Sequence, residues 1–592
     1  MGSDSLASDP VRRRGADRLI LRGYGPLAAL LVVLLLITII VPSKPRTTAD
    51  TTTQLSGVGN APDVATGSAN EPAAPARAGT ATRSGGTATS AGKGSASSTA
   101  AAQRGTAAGP NIPQAAGAPA LGYLPAGVTL GNNCSGGAKQ DGNSAYSPPC
   151  LDFPGLDNGG ATTRGVTKDT ITVAYRDIGL PISKNSELEK TAEKKGLVSS
   201  PEAQQRTRDA LLAYFNSHFQ LYGRKVRIVG YKGRGDSFSE LSGSGQEAAN
   251  ADALKVGQEI KAFADLSAVS QPYLDALVRQ KVVAFGGLHM PISYYKARAP
   301  YAWGQLIDCT TLLASAADLL AKRFPANQDA VRAGSAKLRT QPRKFGLVVP
   351  DDAVYAQCLN EARPKFAAAG ISFKEIRYSL DFSTMQQEAP NIAAQLKNAG
   401  VTTVIMVTDP VLPFFLSGSA TQQDYWPEWF LTGTVLTDAD AAGQFYDQDQ
   451  WQFAYGQSFI SDIKQGMASE SYRAYKSIRP NDEPTPTRDL EYYSMLMLFI
   501  GLQMAGPDLT PTTFEQGMFH YPGANGPLGH WSWGPNDFTA VDDAREIYWD
   551  RKAISSFDNQ PGRYVAPDGD RRYRSNWPTK APPAPIPPPA AP

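Results

Sequence analysis

Residues 345–378 read FGLVVPDDAVYAQCLNEARPKFAAAGISFKEIRY. Phe345 to Val349 is a short β-rich run, Val354 to Ala369 places Leu359, Ala362 and Phe366 on one helical stripe, and Phe373 to Tyr378 is β-rich again. Gly370 stands where a left-handed residue closes the helix before the next strand. This order predicts two parallel strands joined by a crossover helix. The same beat extends to both sides. Upstream, strands are expected at Thr170 to Tyr175, Lys225 to Tyr231, Leu266 to Val269 and Val282 to Phe285; downstream, one is expected at Val404 to Val407. Pro201 to Tyr222 reads as a helix through Ala210, Leu211, Tyr214 and Phe215, and Gly223 and Gly400 close helical patterns as Gly370 does. Pro325 to Pro342, polar and basic, separates the two series and reads as a surface insertion. The fold class is α/β, with two doubly wound parallel-sheet lobes.

The 592 residues exceed what one hydrophobic core usually serves. A hydrophobic share of 42% and a charged share of 19% fit a folded body, whereas 55 Gly and 45 Pro require long stretches outside it. Lys plus Arg, 57, nearly cancels Asp plus Glu, 55, so no global field draws nucleic acid or an anionic membrane. Four His and four Cys, spread along the chain, argue against a dedicated multi-ligand metal protein and a disulfide-dense scaffold.

Pro26 to Val41, PLAALLVVLLLITIIV, carries no charge and follows Arg12, Arg13, Arg14, Arg18 and Arg22. Residues 24–42 are therefore expected to form a single transmembrane anchor, near the lower limit of about 17 residues. The arginines hold residues 1–23 in the cytoplasm and leave the rest extracytoplasmic. A cleaved export signal is the alternative. Against cleavage, Pro42, Lys44, Pro45 and Arg46 follow directly, and Thr47 to Ala49 is a weak small-residue site. The first thiol is Cys134, too distant for a lipid-anchored signal. Residues 43–120, rich in Ala, Thr, Gly and Ser, cannot offset their ordering entropy and read as a disordered tether with a span on the order of 50 Å. Residues 121–164 form a Cys-containing lead-in, 165–576 the globular domain and 577–592 a Pro-rich disordered tail ending in APPAPIPPPAAP.

Gly165-Val166-Thr167-Lys168-Asp169-Thr170-Ile171-Thr172-Val173, opening the first strand, resembles the start of type I periplasmic solute-binding proteins, the branched-chain amino-acid receptor family of ABC importers. Tyr214-Phe215-Asn216 before Gly223-Arg224-Lys225-Val226 resembles that family's first helix and second strand. Pro272-Tyr273-Leu274 leading to Val282-Val283-Ala284-Phe285-Gly286-Gly287 is similar to its fourth strand, and Phe345 to Val349 with Asp351, Asp352 and Tyr355 to the opening of its second lobe. Val407-Thr408-Asp409-Pro410, Gln423 to Trp429 and Thr432-Gly433-Thr434 resemble an actinobacterial, membrane-tethered branch. The resemblance implies a periplasmic binding protein-like I fold, hinged and joined by three crossovers. Lobe 1 would span about 165–310 and lobe 2 about 343–432, each with late segments, and the helix around Tyr492 to Ala505 would return to the first lobe. It further implies a small polar solute, an amino acid or a relative, captured for an ABC permease, with no cofactor. A ligand-sensing or envelope-scaffold protein of the same fold is the alternative.

In open parallel sheets, ligands bind beyond the carboxyl ends of the strands. The ligand-binding candidates are therefore Arg176, Asp177, Ser270, Gln271, Gly287 and His289 in the first lobe, and Asp351, Tyr355 and Asp409 in the second. Hydroxyl and backbone donors suit a carboxylate, and an acidic side chain suits an ammonium. Where the family binds carboxylate through a Gly-rich loop, Ser270 sits in a shorter one. Each candidate also has a plainer reading: Arg176 and Asp177 as a surface pair, Asp409 before Pro410 as a helix start.

Other signals are weaker. Gly243-Ser244-Gly245 with Ala248 lies too far from a strand for a dinucleotide loop. Asp438, Asp440, Gly443 and Asp449 follow calcium-loop spacing, but Ala442 breaks it and Asp replaces the final Glu. His218, His289, His520 and His530 lack metal spacing, and no nucleophile elbow or triad supports an enzyme. Trp426, Trp429, Trp451, Trp531, Trp533 and Trp549 are read mainly as packing residues, with stacking on a ligand as the alternative. Local pairing, Cys134 with Cys150 and Cys309 with Cys358, is the simplest of three disulfide connectivities; buried thiols remain the alternative for the second pair.

Overall fold

The computed structural model describes residues 124–580, apart from 156, 180–198, 237–238, 241–244, 288 and 463 and the side chains of 382 and 383. The expected anchor at 24–42, the tether at 43–120 and Ala581 to Pro592 lie outside these residues. Among the described residues, no helix is long and apolar enough to cross a membrane.

The lead-in pairs β1 (Thr129–Leu130) with β2 (Leu151–Asp152) antiparallel, and Cys134 is bonded to Cys150 across a Cα separation of 5.7 Å. Closing that short loop stabilises by about 3 kcal/mol in the chain-entropy account. The loop docks on the first lobe rather than hanging free. Asp141 accepts from Tyr214 Oη at 2.8 Å, and the fully buried Tyr146 stacks on Trp531 at 4.0 Å.

Lobe 1 is built on β3 (Thr170–Gly179), β4 (Lys225–Asp236), β5 (Ala264–Ala268), β6 (Val283–Gly286) and β7 (Ala302–Trp303), all parallel in the order β4-β3-β5-β6-β7. The helix Pro201–His218 starts at Ser200, whose side chain accepts from the Ala203 amide. Its buried face, Ala210, Leu211, Tyr214 and Phe215, is the stripe that the sequence spacing predicts.

Lobe 2 repeats the plan. β8 (Phe345–Pro350), β9 (Phe373–Tyr378), β10 (Thr403–Met406), β11 (Glu428–Leu431) and β12 (Ala454–Ser458) run parallel in the order β9-β8-β10-β11-β12. After the hairpin β13 (Ala524–Gly526) and β14 (Gly529–Trp531), the strand β15 (Ala544–Ile554) adds antiparallel to β12, with β16 (Pro561–Val565) and β17 (Arg572–Tyr573) beside it. Gly370 and Gly400 take φ of +70° and +65° at the ends of the helices Ala353–Ala368 and Phe382–Asn398, which is the left-handed closure that favours glycine.

The chain crosses between lobes three times. Residues 304–308 lead from β7 to the helix Cys309–Arg323, which packs on Ala353–Ala368 and is tied to it by the Cys309–Cys358 bond. Residues 459–469 return from β12 to the helices Glu470–Ile478 and Arg488–Ala505, which pack on Pro201–His218. Residues 532–543 then lead from β14 back to β15.

One expectation is refined and another corrected. The stretch from Pro325 to Pro342 lies largely at the surface, as expected, but it is anchored, with Ala330 and Ala333 fully buried and Arg332 nearly so. Trp577, assigned to the tail, is also buried, and its Nε1 donates to Ser315 Oγ at 3.1 Å. The basic stretch has a partner: Glu428, at the start of β11, is fully buried. It accepts from Arg343 at 2.8 and 3.0 Å, the Arg332 amide at 3.0 Å, Thr403 at 2.6 Å and Tyr455 at 3.0 Å. Removing one partner of a buried pair strands the other charge. Glu428→Ala is therefore expected to lower the unfolding free energy by about 3–5 kcal/mol in urea titrations. The double variant Glu428→Met with Arg343→Met should cost less than the two single changes summed.

Candidate functional site

The rule that ligands gather where the strand order reverses directs attention to the β3/β5 and β8/β10 edges. The structure places most of the sequence candidates there and occupies them with protein partners. Arg176, 1% exposed, donates to Glu240 at 2.7 and 2.8 Å and to Asp252 at 3.3 Å, and its guanidinium lies 3.5 Å from the Tyr273 ring centroid. Burial opposes its charge, but Glu240 outweighs burial and holds its pKa up. Ser270 is also buried and donates to Glu240, while Gln271 opens the helix Gln271–Arg279. Asp177 follows Arg176 in the same strand, two residues before its end at Gly179. Arg176 thus forms a core ion pair, contrary to the surface pairing considered from sequence.

In lobe 2, Asp409 accepts from Tyr378 Oη at 2.5 Å and from the amides of Val411 and Leu412 at 2.6 and 3.3 Å, which start the next helix. Burial pushes its carboxyl up, and these donors oppose that shift. Tyr355 is half-buried near Asp409; burial and that charge push its phenol up. Asp351 is exposed and pairs with Arg377 at 3.1 Å. Gly287 turns the chain after β6 with φ of +73°, delivering His289.

A cavity of about 290 Å³ lies between the lobes, beside these edges rather than on them. It sits just under the range of about 300–1,000 Å³ usual for ligand clefts. One wall belongs to lobe 2 and its returning strands, with Leu436, Asp438, Asp440, Arg545 and Phe557; the other belongs to lobe 1, with Glu470, Leu490, Tyr493, Met497 and Trp531. Leu306 and Ile460, on the first two crossovers, complete it. None of the nine sequence candidates lines this cavity. Apart from Leu490, Tyr493, Ser494 and Met497 on the helix Arg488–Ala505, its residues come mostly from connecting segments. In the sequence, Asp438 and Asp440 stand out only as an imperfect calcium loop, and Trp531 only as one tryptophan among six. Among the described residues, no cluster of His, Cys, Asp and Glu could hold a metal ion.

A second space of about 10 Å³ adjoins the first, and Leu306, Leu436, Asp438 and Ile460 line both. That is about the room one water requires. Here His289 reappears, 5% exposed, with Nδ1 2.9 Å from the Ile307 carbonyl. A carbonyl only accepts, so Nδ1 carries the proton. Burial lowers the imidazole pKa to about 4, which leaves Nε2 bare at neutral pH. Nε2 has no partner among the described residues. Across the space, Asp438 is 2% exposed; its Oδ2 accepts from the Phe459 amide at 3.2 Å and its Oδ1 has no partner. Burial pushes this carboxyl up, opposed by the nearby Ser458 hydroxyl, the Phe459 amide and Arg545. Ser458 gives its proton to the Ile460 carbonyl at 3.0 Å. The backbone is strained at the same place: His289, Val435 and Leu436 have φ of +52°, +47° and +62°. For non-glycine residues such conformations cost about 1–3 kcal/mol each and collect where geometry must be held.

Solute-binding components of ABC transporters are among the solved structures to which the chain is similar. One is a solute-binding protein from Rhodopseudomonas palustris BisB5 in complex with 3,4-dihydroxybenzoic acid, 14% identical over 69% of this chain and 98% of that one, with a TM-score of 0.45. A second is a fatty acid ABC transporter substrate-binding protein from Thermomonospora curvata, 14% identical over 70% and 95%, with a TM-score of 0.46. A third, from Desulfitobacterium hafniense in complex with Leu, is 12% identical over 67% and 99%, with a TM-score of 0.42. No protein-family profile and no curated protein matches the chain.

The buried imidazole makes stability depend on pH. Because folding lowers the His289 pKa from 6.5 to about 4, its neutral burial contributes fully above about pH 6.5, and that contribution is lost as the pH falls toward 4. The stability of the unaltered chain relative to His289→Gln, read by urea unfolding, should fall by roughly 3 kcal/mol over that window. A constant difference would show that the ring is not held neutral.

Proposed function

We propose that this protein is an extracytoplasmic solute receptor that captures a small molecule between its two lobes and presents the closed form to an ABC permease. The observation that carries this reading is the cavity of about 290 Å³, walled by both lobes at the point where the crossovers meet. A solute that touches both walls favours the closed arrangement over the open one, and a membrane partner can read that difference. Residues 24–42 would hold the receptor at the membrane, and residues 43–120 would set its reach. The solute is bound and released unchanged, so the protein is not an enzyme in this reading.

A library of amines, carboxylic acids, amides, alcohols and sugars tested on the full-length chain in mild detergent checks the proposal. At least one compound should raise the unfolding temperature by mass action, and at a hundred times its Kd the gain is about 2.7 kcal/mol. The same compound should reduce the radius of gyration in small-angle scattering. Stabilisation without compaction would favour a sensing or scaffold role. The absence of both responses across the library would remove the receptor reading.

A further inference from the structure

We propose that the cavity selects a solute carrying a single ammonium on a small apolar body, with the ammonium seated between His289 Nε2 and Asp438 Oδ1. This rests on the receptor reading and specifies its ligand. Three observations lead to it.

The first is size. The space shared by His289 and Asp438 is about 10 Å³, which admits a head the size of water and excludes a carboxylate or guanidinium. The second is polarity. His289 Nδ1 gives its proton to Ile307, so Nε2 can only accept; Asp438 Oδ1 accepts as well, and neither atom has a partner among the described residues. Two buried acceptors call for a head that donates more than once. The third is charge. The cavity is bordered by five acids, Asp438, Asp440, Asp462, Glu470 and Asp489, and by two bases, Lys464 and Arg545.

The bases do not neutralise the whole set. Asp462 pairs with Arg545 and Arg563. Asp440 instead accepts from Ser555 at 2.7 Å and the Tyr564 amide at 2.8 Å, and Glu470 from Ser144 and the Ala145 amide, both at 2.9 Å. Arg545, Arg563 and Arg473 lower the pKa of Asp438, Asp440 and Glu470 in turn, but burial still pushes all three carboxyls up, and a cation beside them would favour the charged form. The remaining lining fits an apolar body. Leu436 and Met497 supply aliphatic surface, and Tyr493, Trp531 and Phe557 supply rings whose faces attract an ammonium and pack against an aromatic frame.

The test uses one frame with three heads: 2-phenylethylamine, 2-phenylethanol and 3-phenylpropionate, titrated calorimetrically into the full-length chain at pH 7.5. The amine should bind at least tenfold more tightly than the alcohol, and the carboxylate should give no binding heat. Asp438→Asn retains an acceptor for the Phe459 amide and removes the charge. It should weaken the amine at least tenfold and change the alcohol less than threefold, with an unchanged unfolding temperature as the folding control. Leu490→Trp, at an exposed residue bordering the cavity, should weaken the amine and the alcohol together. Equal affinity for the amine in Asp438→Asn overturns the proposal. Tighter binding of phenylpropionate, blocked by Leu490→Trp, overturns the ammonium head and leaves the receptor reading intact. Failure of all three compounds also overturns it; the receptor reading is then decided by the scattering response to the wider library.

Discussion

The constraint on which the rest depends is the direction of the strands. A parallel sheet sends every connection out from its carboxyl edge, and both lobes here arrange their first five strands in the same 2-1-3-4-5 order. Three crossovers then hold the two carboxyl edges against one space. The loops after β6 and β7 meet those after β11 and β12 because the chain leaves β7 and β12 for the opposite lobe. Each lobe alone leaves that edge open, so the cavity exists only through the pairing.

Where the strand order reverses, both lobes carry polar side chains, as the general rule for such sheets leads one to expect. These side chains are nevertheless engaged by protein. The Arg176, Glu240 and Ser270 network closes the first reversal, and Asp409 with Tyr378 closes the second. A guanidinium with two hydrogen bonds to one carboxylate and a ring stacked on its face has little capacity left for a solute. The open volume therefore lies two strands further along, beside β6, β7, β11 and β12. Within that region, His289 Nε2 and Asp438 Oδ1 are buried with no hydrogen-bond partner among the described residues.

The legibility of the sequence follows the same division. Phe345–Pro350, a buried aliphatic run, and Phe373–Tyr378, in which Ile376 and Tyr378 alternate with exposed residues, stand where the sequence predicts them, because pattern and burial agree. Glu428–Leu431 and Ala454–Ser458 went unread. The first opens on a buried charge whose partners lie far away in sequence, and the second contains Gly456 and Gln457, which carry no strand signal. The cavity was least legible, since its walls come from separate stretches between residues 305 and 557 that only the crossovers bring together. His289 is the candidate that lies at its margin. Its place beyond the carboxyl end of a predicted strand gives reason to consider it, but only the Ile307 carbonyl fixes which ring nitrogen is free.

In the proposed receptor, the small space beside the cavity would also give binding a mechanical consequence. His289 belongs to the first lobe and Asp438 to the second, so a head that satisfies both must be held by both lobes at once. In an open form each acceptor meets water and loses little. In a closed form without solute, each is buried with its demand unmet, which penalises closure by the desolvation of two polar groups. A donor head removes both penalties together, whereas a purely apolar molecule of the same size fills the volume and leaves them standing. In the proposed receptor, selectivity and closure would therefore come from the same two atoms, which stand beside the strained turns at His289 and at Val435–Leu436.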